Sequence, residues 1–291
     1  MDQVVFVTGA TRQQGGAVAD RLLADGWQVR MLTRRPDSAR ARALAAAGAE
    51  VIAGSLEEPA TVERCVDGVY GVYSVHPGLL DPEQDEVKAG MAITDAAVKY
   101  GATHLVYSSG LGADRGGQPT KREIEQHIAA SGVSATVLRP SSFMENLITQ
   151  SATVGIADDA LRTAAAAHVR QQFIALDDIG AFTALSLANP ADYRGRTLEL
   201  VGDTLTPPGV ATQVCAAVGQ QVPYIQRPIE DLRRINEGFA RGYELLNSGD
   251  GSVPDVGIDE LRVLHPGLMS FQDWLSHKGA ELIRPLLNTR P

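Results

Sequence analysis

The chain has 291 residues, 44% hydrophobic and 21% charged, a balance that excludes a disordered or fibrous protein and a length that favours one large or two modest domains. Its 26 Lys and Arg against 35 Asp and Glu leave a formal charge of −9. That charge speaks against generic binding to nucleic acid or an anionic membrane, where attraction to phosphate is the main sequence-independent term.

The apolar run 4–7 reads as a strand buried on both faces. Helical spacing follows over 15–24, with Val18, Leu22 and Leu23 apolar. The second strand is 28–32, and Ser38 opens an Ala/Arg-rich helix to 47 that Gly48 ends. After a third strand at 50–53, Glu58-Pro59 starts a helix where proline costs nothing. The fourth strand is 69–75, a helix over 87–100 ends at Gly101, and the fifth strand is 104–107. A helix over 120–130 leads to a sixth strand at 135–138.

Six strands alternating with helices predict an α/β fold, a Rossmann-type doubly wound parallel sheet over residues 1–150. Such sheets bind ligands beyond the carboxyl ends of their strands. The second half is less regular. It reads as a strand at 173–176, a helix over 179–187 capped by Asp177-Asp178, and a strand at 197–201. Thr206-Pro207-Pro208 opens a helix to Val218 with Gly219 as its stop. A helical pattern covers 230–246, Gly249-Asp250-Gly251-Ser252 is a loop, and a last short helix begins at 271–274. Residues 151–291 are expected to form a smaller C-terminal α/β lobe, partly interleaved with the first. Cys65 and Cys215 share no short spacing, so neither a disulfide framework nor a cysteine-based zinc site is expected, and no metal is assigned. No apolar run approaches the roughly 18 residues of a membrane-spanning helix, and no basic-then-apolar secretory leader is seen. A cytoplasmic protein without membrane or nucleic-acid partners is expected.

Thr8-Gly9-Ala10-Thr11-Arg12-Gln13-Gln14-Gly15-Gly16 follows a strand and opens a helix. That context marks a dinucleotide loop. Gly9 permits the tight turn, Gly15 lets helix and strand pack closely, and the helix start offers N–H groups to a pyrophosphate. Arg12 stands where a middle glycine would fall; it either crowds the ligand or turns outward to pair with a phosphate.

Several stretches then carry a resemblance: TGATRQQGGAV at 8–18, VRMLTR at 29–34, GVYGVYSV at 68–75 and VYSS at 106–109. To these add Lys121 with its helix, LRPSSFMENL at 138–147, IALDDIG at 174–180 and FQDWL at 271–275. With these the chain resembles the NmrA-like family, an atypical branch of the short-chain dehydrogenase/reductase superfamily. Classical relatives often carry an arginine at the place of Arg12 followed by a glycine, where this chain has Gln13.

NAD sites usually carry Asp or Glu at the end of the second strand, to hold the ribose 2′-OH. Here that strand ends Leu32-Thr33-Arg34-Arg35. Arg34 suits a 2′-phosphate, with Arg12 as a second cation, so NADP(H) is expected in preference to NAD(H); the alternative is a solvated basic turn. The resemblance implies that Ser55-Leu56, in place of an Asp-Leu pair, meets the adenine, and that Val75-His76-Pro77 lines the nicotinamide ribose. His76 is either a proton donor to the substrate or a space-filling loop residue.

The resemblance also implies catalytic positions. Ser109 stands at the place of the catalytic serine and Lys121 at the place of the lysine. Gly117 stands where the tyrosine proton donor of classical members would be. Lys121 then either holds the ribose or takes part in proton transfer, and Ser109 either acts in catalysis or caps its strand end. Pro140, against the cofactor, and Phe143, Met144 and Asn146 would form the wall of an apolar substrate pocket, with Phe239, Tyr243, Met269 and Trp274 as further candidates. Two principal readings follow. One is an NADPH-dependent reductase of a small aromatic or quinone-like carbonyl acceptor. The alternative is an NADP(H)-binding redox sensor that acts through a protein partner without turnover. A relic site on a structural module is a third. Oligomeric state is left open.

Overall fold

A computed structural model of the chain describes residues 3–77, 85–115, 118–149, 154–249 and 256–287. Gly117 and most of the loop expected at 249–252 lie outside the described residues.

The chain forms two compact units, residues 1–140 with 176–200 and residues 141–175 with 201–291. In the first, six strands alternate with helices: β1 Val4–Val7, α1 Gln13–Ala24, β2 Gln28–Thr33, α2 Ala39–Ala46, β3 Glu50–Ala53 and α3 Pro59–Val66. Then come β4 Gly71–Val75, α4 Glu86–Lys99, β5 His104–Ser108, α5 Pro119–Ser131 and β6 Ala135–Pro140. The second unit takes up β7 Ser142–Phe143, β8 Val154–Ala157, β9 Ala160–Thr163 and β10 Gln171–Ile174. The chain returns to the first for α6 Leu176–Ala188, α7 Pro190–Tyr193 and β11 Thr197–Leu200.

β11 is added beside β6, completing a seven-stranded sheet in the order β11-β6-β5-β4-β1-β2-β3 with every neighbouring pair parallel. This is a Rossmann-type doubly wound sheet. The sequence division at 150 therefore differs from the observed units in two ways: the first unit ends ten residues earlier, and 176–200 belongs to it. The reason is packing. α6 is buried along almost its whole length, and it lies against α1, where a Cβ at Gly180 would stand 3.2 Å from the Ala17 carbonyl. The other helical face closes over Phe6, Val72, Leu105, Tyr107, Ile93 and Ile124. Each such side chain contributes roughly 1.5–3 kcal/mol by leaving water.

The second unit continues with β12 Asp203–Leu205, α8 Pro207–Val218, β13 Tyr224–Gln226, α9 Ile229–Ile235, α10 Glu237–Ser248, α11 Ile258–Leu264 and α12 Phe271–Trp274. Two three-stranded sheets, β12-β10-β7 and β13-β9-β8, are built from strands too short to show alternation. The β8–β9 hairpin turns on Asp158 and Asp159, both at positive φ (49° and 59°), as a two-residue type I′ turn requires. Phe173, Phe271 and Trp274 centre the core, with ring centroids 5.9 and 5.6 Å apart.

Two of the expected elements differ by more than an end residue or two. Leu176 is the first residue of α6 rather than the end of a strand, and Asp177 and Asp178 lie in its first turn, where carboxylates oppose the helix dipole. The single helix expected over 230–246 is broken at Asn236. Its extended backbone lets the side chain accept hydrogen bonds from the Gly238 and Phe239 amides, starting a new helix. No helix among the described residues is long and apolar enough to cross a membrane.

Candidate functional site: a dinucleotide cleft and the polar cluster around Lys121

The carboxyl ends of β1, β2 and β3 surround a cleft of about 590 Å3. Gly9, Thr11 and Arg12 line it from the first turn, Arg34 and Arg35 from the second, and Ser55, Leu56 and Glu57 from the third. Six residues expected from the sequence to touch the cofactor thus converge from three separate strand ends.

Gly9 sits at φ +62°, where a Cβ would also stand 3.2 Å from Val75 Cγ1. Gly15 is more constrained by space: a Cβ there would lie 2.5 Å from the Gly9 carbonyl and would strike the Thr8 carbonyl. The helix start is therefore pressed against the strand end. Arg12 is the residue before α1, with extended backbone at φ −107°, a conformation open to any L-residue. Its amide donates to the Gly9 carbonyl at 2.8 Å and closes the turn. That explains why the middle glycine of the motif is dispensable here.

Gln13 and Gln14 begin α1. The Gln14 amide donates to the Ser108 hydroxyl at the end of β5. Thr8 was not singled out in the sequence, yet it joins β1 to β4: its hydroxyl donates to the Val75 carbonyl at 2.9 Å and accepts from the Val75 amide at 2.7 Å.

His76 follows β4 and is 4% exposed. Its Nε2 pairs with the Ser74 hydroxyl at 3.0 Å, while Nδ1 is buried without a partner. Burial, aided by the Lys121 charge, pushes its pKa down to about 3. A buried ring held neutral in this way favours the space-filling reading of His76 over that of a proton donor.

Lys121, in the first turn of α5, donates to the Glu86 carboxylate at 3.2 Å and to the His76 carbonyl at 3.4 Å. Glu86 opens α4, is buried, and also accepts from the Thr120 hydroxyl. It escaped the sequence reading because an acid in a first helical turn is commonplace.

Ser109 is bound to a different acid. Its hydroxyl donates to Glu125 at 2.6 Å, so it bonds a side chain rather than capping its strand through backbone. Glu125 is gripped at both oxygens by Arg139, at 2.9 and 2.7 Å. Burial raises the Glu125 pKa, but the hydrogen bonds from Arg139 and Ser109 outweigh it and hold the carboxyl below its usual range. Arg139 also reaches Asp114 at 2.8 Å. An arginine inside the apolar run of β6 was the sequence signal for this cluster.

Pro140 ends β6 and its carbonyl accepts from the Leu111 amide at 3.0 Å. Of the expected substrate wall, Phe143 and Asn146 are partly exposed in the second unit. Met144 is a correction: it is fully buried in that unit's core, because the turn after β7 folds it inward. Trp274 is likewise core, donating through Nε1 to Glu145 at 3.0 Å. Met269 packs against the same core, and Tyr243 against Ala164, Leu232 and Ala240.

A parallel seven-stranded sheet, a glycine-shaped turn at its first strand and an arginine-lined cleft define an NAD(P)-binding protein of the Rossmann type. Residues 1–259 match the NmrA-like family, and the chain belongs to that family. It is 29% identical over 250 residues to the NAD(P)H azoreductase of Xenophilus azovorans, with 84% of each chain covered. It is 27% identical over 299 residues to the (4-alkanoyl-5-oxo-2,5-dihydrofuran-3-yl)methyl phosphate reductase of Streptomyces griseus, covering 97% of this chain and 100% of that one. The crystal structure of NmrA, a negative transcriptional regulator, in complex with NADP shares the fold at a TM-score of 0.79 and 17% identity, with 95% of each chain covered.

Proposed function

We propose that the protein is an NADPH-dependent reductase of a small aromatic or quinone-like acceptor. The observation that carries the cofactor half is the arginine pair at the end of β2. Arg34 and Arg35 line the cleft with Arg12, and no acid stands at that strand end. Guanidinium groups there suit a 2′-phosphate; Glu57, from the third strand end, is the one carboxylate among the residues that line the cleft. The azoreductase, matched over 84% of each chain, and the phosphate reductase, matched over 97% of this chain and 100% of its own, support the reductase half.

Bound NADPH would supply the hydride, with Gly9, Thr11 and Arg12 beneath its phosphates and Arg34 at its ribose. This chain's own residues supply the rest. Gly117 in the sequence leaves the usual tyrosine position without a hydroxyl. Burial raises the pKa of Tyr73 and Tyr107, the tyrosines of β4 and β5, above the ordinary phenol value, and His76 is neutral. Lys121 then supplies the N–H groups of the described cluster: it has three donors, two of them directed at Glu86 and the His76 carbonyl, and the proton comes from it or from water. An electron-poor quinone tolerates such weak acid help, because its reduced oxygen is a stable phenolate.

The second reading, a redox sensor acting through a protein partner, rests on the same missing tyrosine. It requires unequal affinity for the oxidised and reduced cofactor, since a ligand that binds two states equally shifts nothing. The test is NADPH consumption against quinones, azo dyes and conjugated enones, with Lys121→Ala in parallel. Saturable turnover that falls in the variant supports the reductase. Tight NADPH binding with no turnover on any acceptor supports the sensor.

A further inference from the structure

A second cleft, of about 400 Å3, lies in the first unit at the opposite edge of the sheet from the dinucleotide cleft. Its apolar lining is Ile128 and Ala129 of α5, Val133 after it, and Ala135 and Val137 of β6. Alternation along β6 turns Ala135, Val137 and Arg139 to one face. β11 is the edge strand beyond it. The turn into β11 contributes Arg194, Gly195, Arg196 and Thr197.

The charges here do not cancel. Arg115, Arg122 and Arg139 are matched by Asp114, Glu125 and Glu199, with contacts of 2.7–3.7 Å. That leaves Arg194 and Arg196 as surplus. Neither forms an ion pair with a carboxylate among the described residues. Arg196 instead lies over the Tyr193 ring, 5.2 Å from its centre, which holds the guanidinium in place. In a chain of charge −9, two arginines outside any ion pair among the described residues border the apolar strip of this cleft, with Asp192 the nearest carboxylate along the chain.

We propose that this cleft binds a small organic anion, a carboxylate joined to an apolar body, with Arg194 and Arg196 taking the anionic head and Val133, Val137 and Ile128 the body. The volume is within the range of small-molecule sites, and the lining joins an apolar strip to five charged residues, Arg122, Glu125, Arg139, Arg194 and Arg196. Arginine suits the head group because its planar fork matches a carboxylate. The cleft shares no lining residue with the dinucleotide cleft, and the assignment is independent of the reductase reading. It does have a path to the Lys121 cluster: Glu125, which lines the cleft, holds Ser109 and sits one turn after Lys121 on α5.

Calorimetric titration of the full chain, saturated with NADP+ so that the dinucleotide cleft is filled, tests this with octanoate as the probe. Saturable octanoate binding is expected, weakened about tenfold by Arg194→Ala and again by Arg196→Ala. Both arginines are on the surface turn, so these variants should fold. Ala129→Trp, an exposed helix position that would fill the cleft, should abolish binding. Three results would overturn the proposal: no saturable binding, binding unchanged in the arginine variants, or octanamide or inorganic phosphate binding as tightly as octanoate.

Discussion

Lys121 and Glu86 form a buried ion pair, N to O 3.2 Å, with side chains only 13% and 7% exposed. One comes from the first turn of α5 and the other from the first turn of α4. A buried charge is tolerated only when paired, so Glu86 fixes where the ammonium sits. Glu86→Gln should lower stability by about 3 kcal/mol, because it leaves Lys121 buried without its counter-charge. Urea unfolding measures this. Wild-type stability in the variant would show that the pair holds nothing.

Gly15→Ala adds one methyl group where no room exists. With the new Cβ 2.5 Å from the Gly9 carbonyl, α1 must move off the strand end. A loss of about 1–3 kcal/mol in stability is expected for such overpacking. NADPH affinity should fall with it, since the turn proposed to receive the phosphates moves too. Fluorescence titration of NADPH provides the check, and unaltered affinity would count against this turn as the binding loop.

The pH dependence follows from two buried histidines. His76 is pushed down to about 3 by burial and the Lys121 charge, and His104 to about 4 by burial. Unfolded, both would titrate near 6.5. Their folded values are depressed, so the unfolded chain binds more protons between these limits. The stability they contribute is complete above about pH 6.5 and is lost as pH falls toward 4 and then 3. Unfolding free energy should decline over that range, and His76→Asn should flatten the decline. NMR titration should find the His76 ring neutral at pH 5. A His76 midpoint near 6.5 would contradict the burial account.

The first six strands and the cleft around Gly9, Arg12, Arg34 and Ser55 were legible because each rests on local pattern: an apolar run, a glycine at a turn, a charge at a strand end. What was hidden depends on distant partners. β11 looks like any short strand, and only pairing with β6 places it in the main sheet. Glu86 and Glu125 read as ordinary helix-surface acids until Lys121 and Arg139 arrive from elsewhere. Ser109 was read as either catalytic or a cap of its strand end; its hydroxyl donates to Glu125, while its neighbour Ser108 meets Gln14. Met144 sits next to Phe143 in a motif suggestive of a pocket, and the fold turns it into the core. The β8–β9 hairpin was missed because Asp-Asp is a weak turn signal beside Asn-Gly.

The central claim is NADPH-dependent reduction with Arg34 as the cofactor discriminator. The most direct measurement is kcat/KM for NADPH and for NADH, with one quinone acceptor, in wild type and Arg34→Ala. The account predicts turnover that favours NADPH in the wild type, a loss of about tenfold or more with NADPH in the variant, and little change with NADH. Equal losses with both cofactors, or no oxidation of NADPH that is shown to bind, would contradict it.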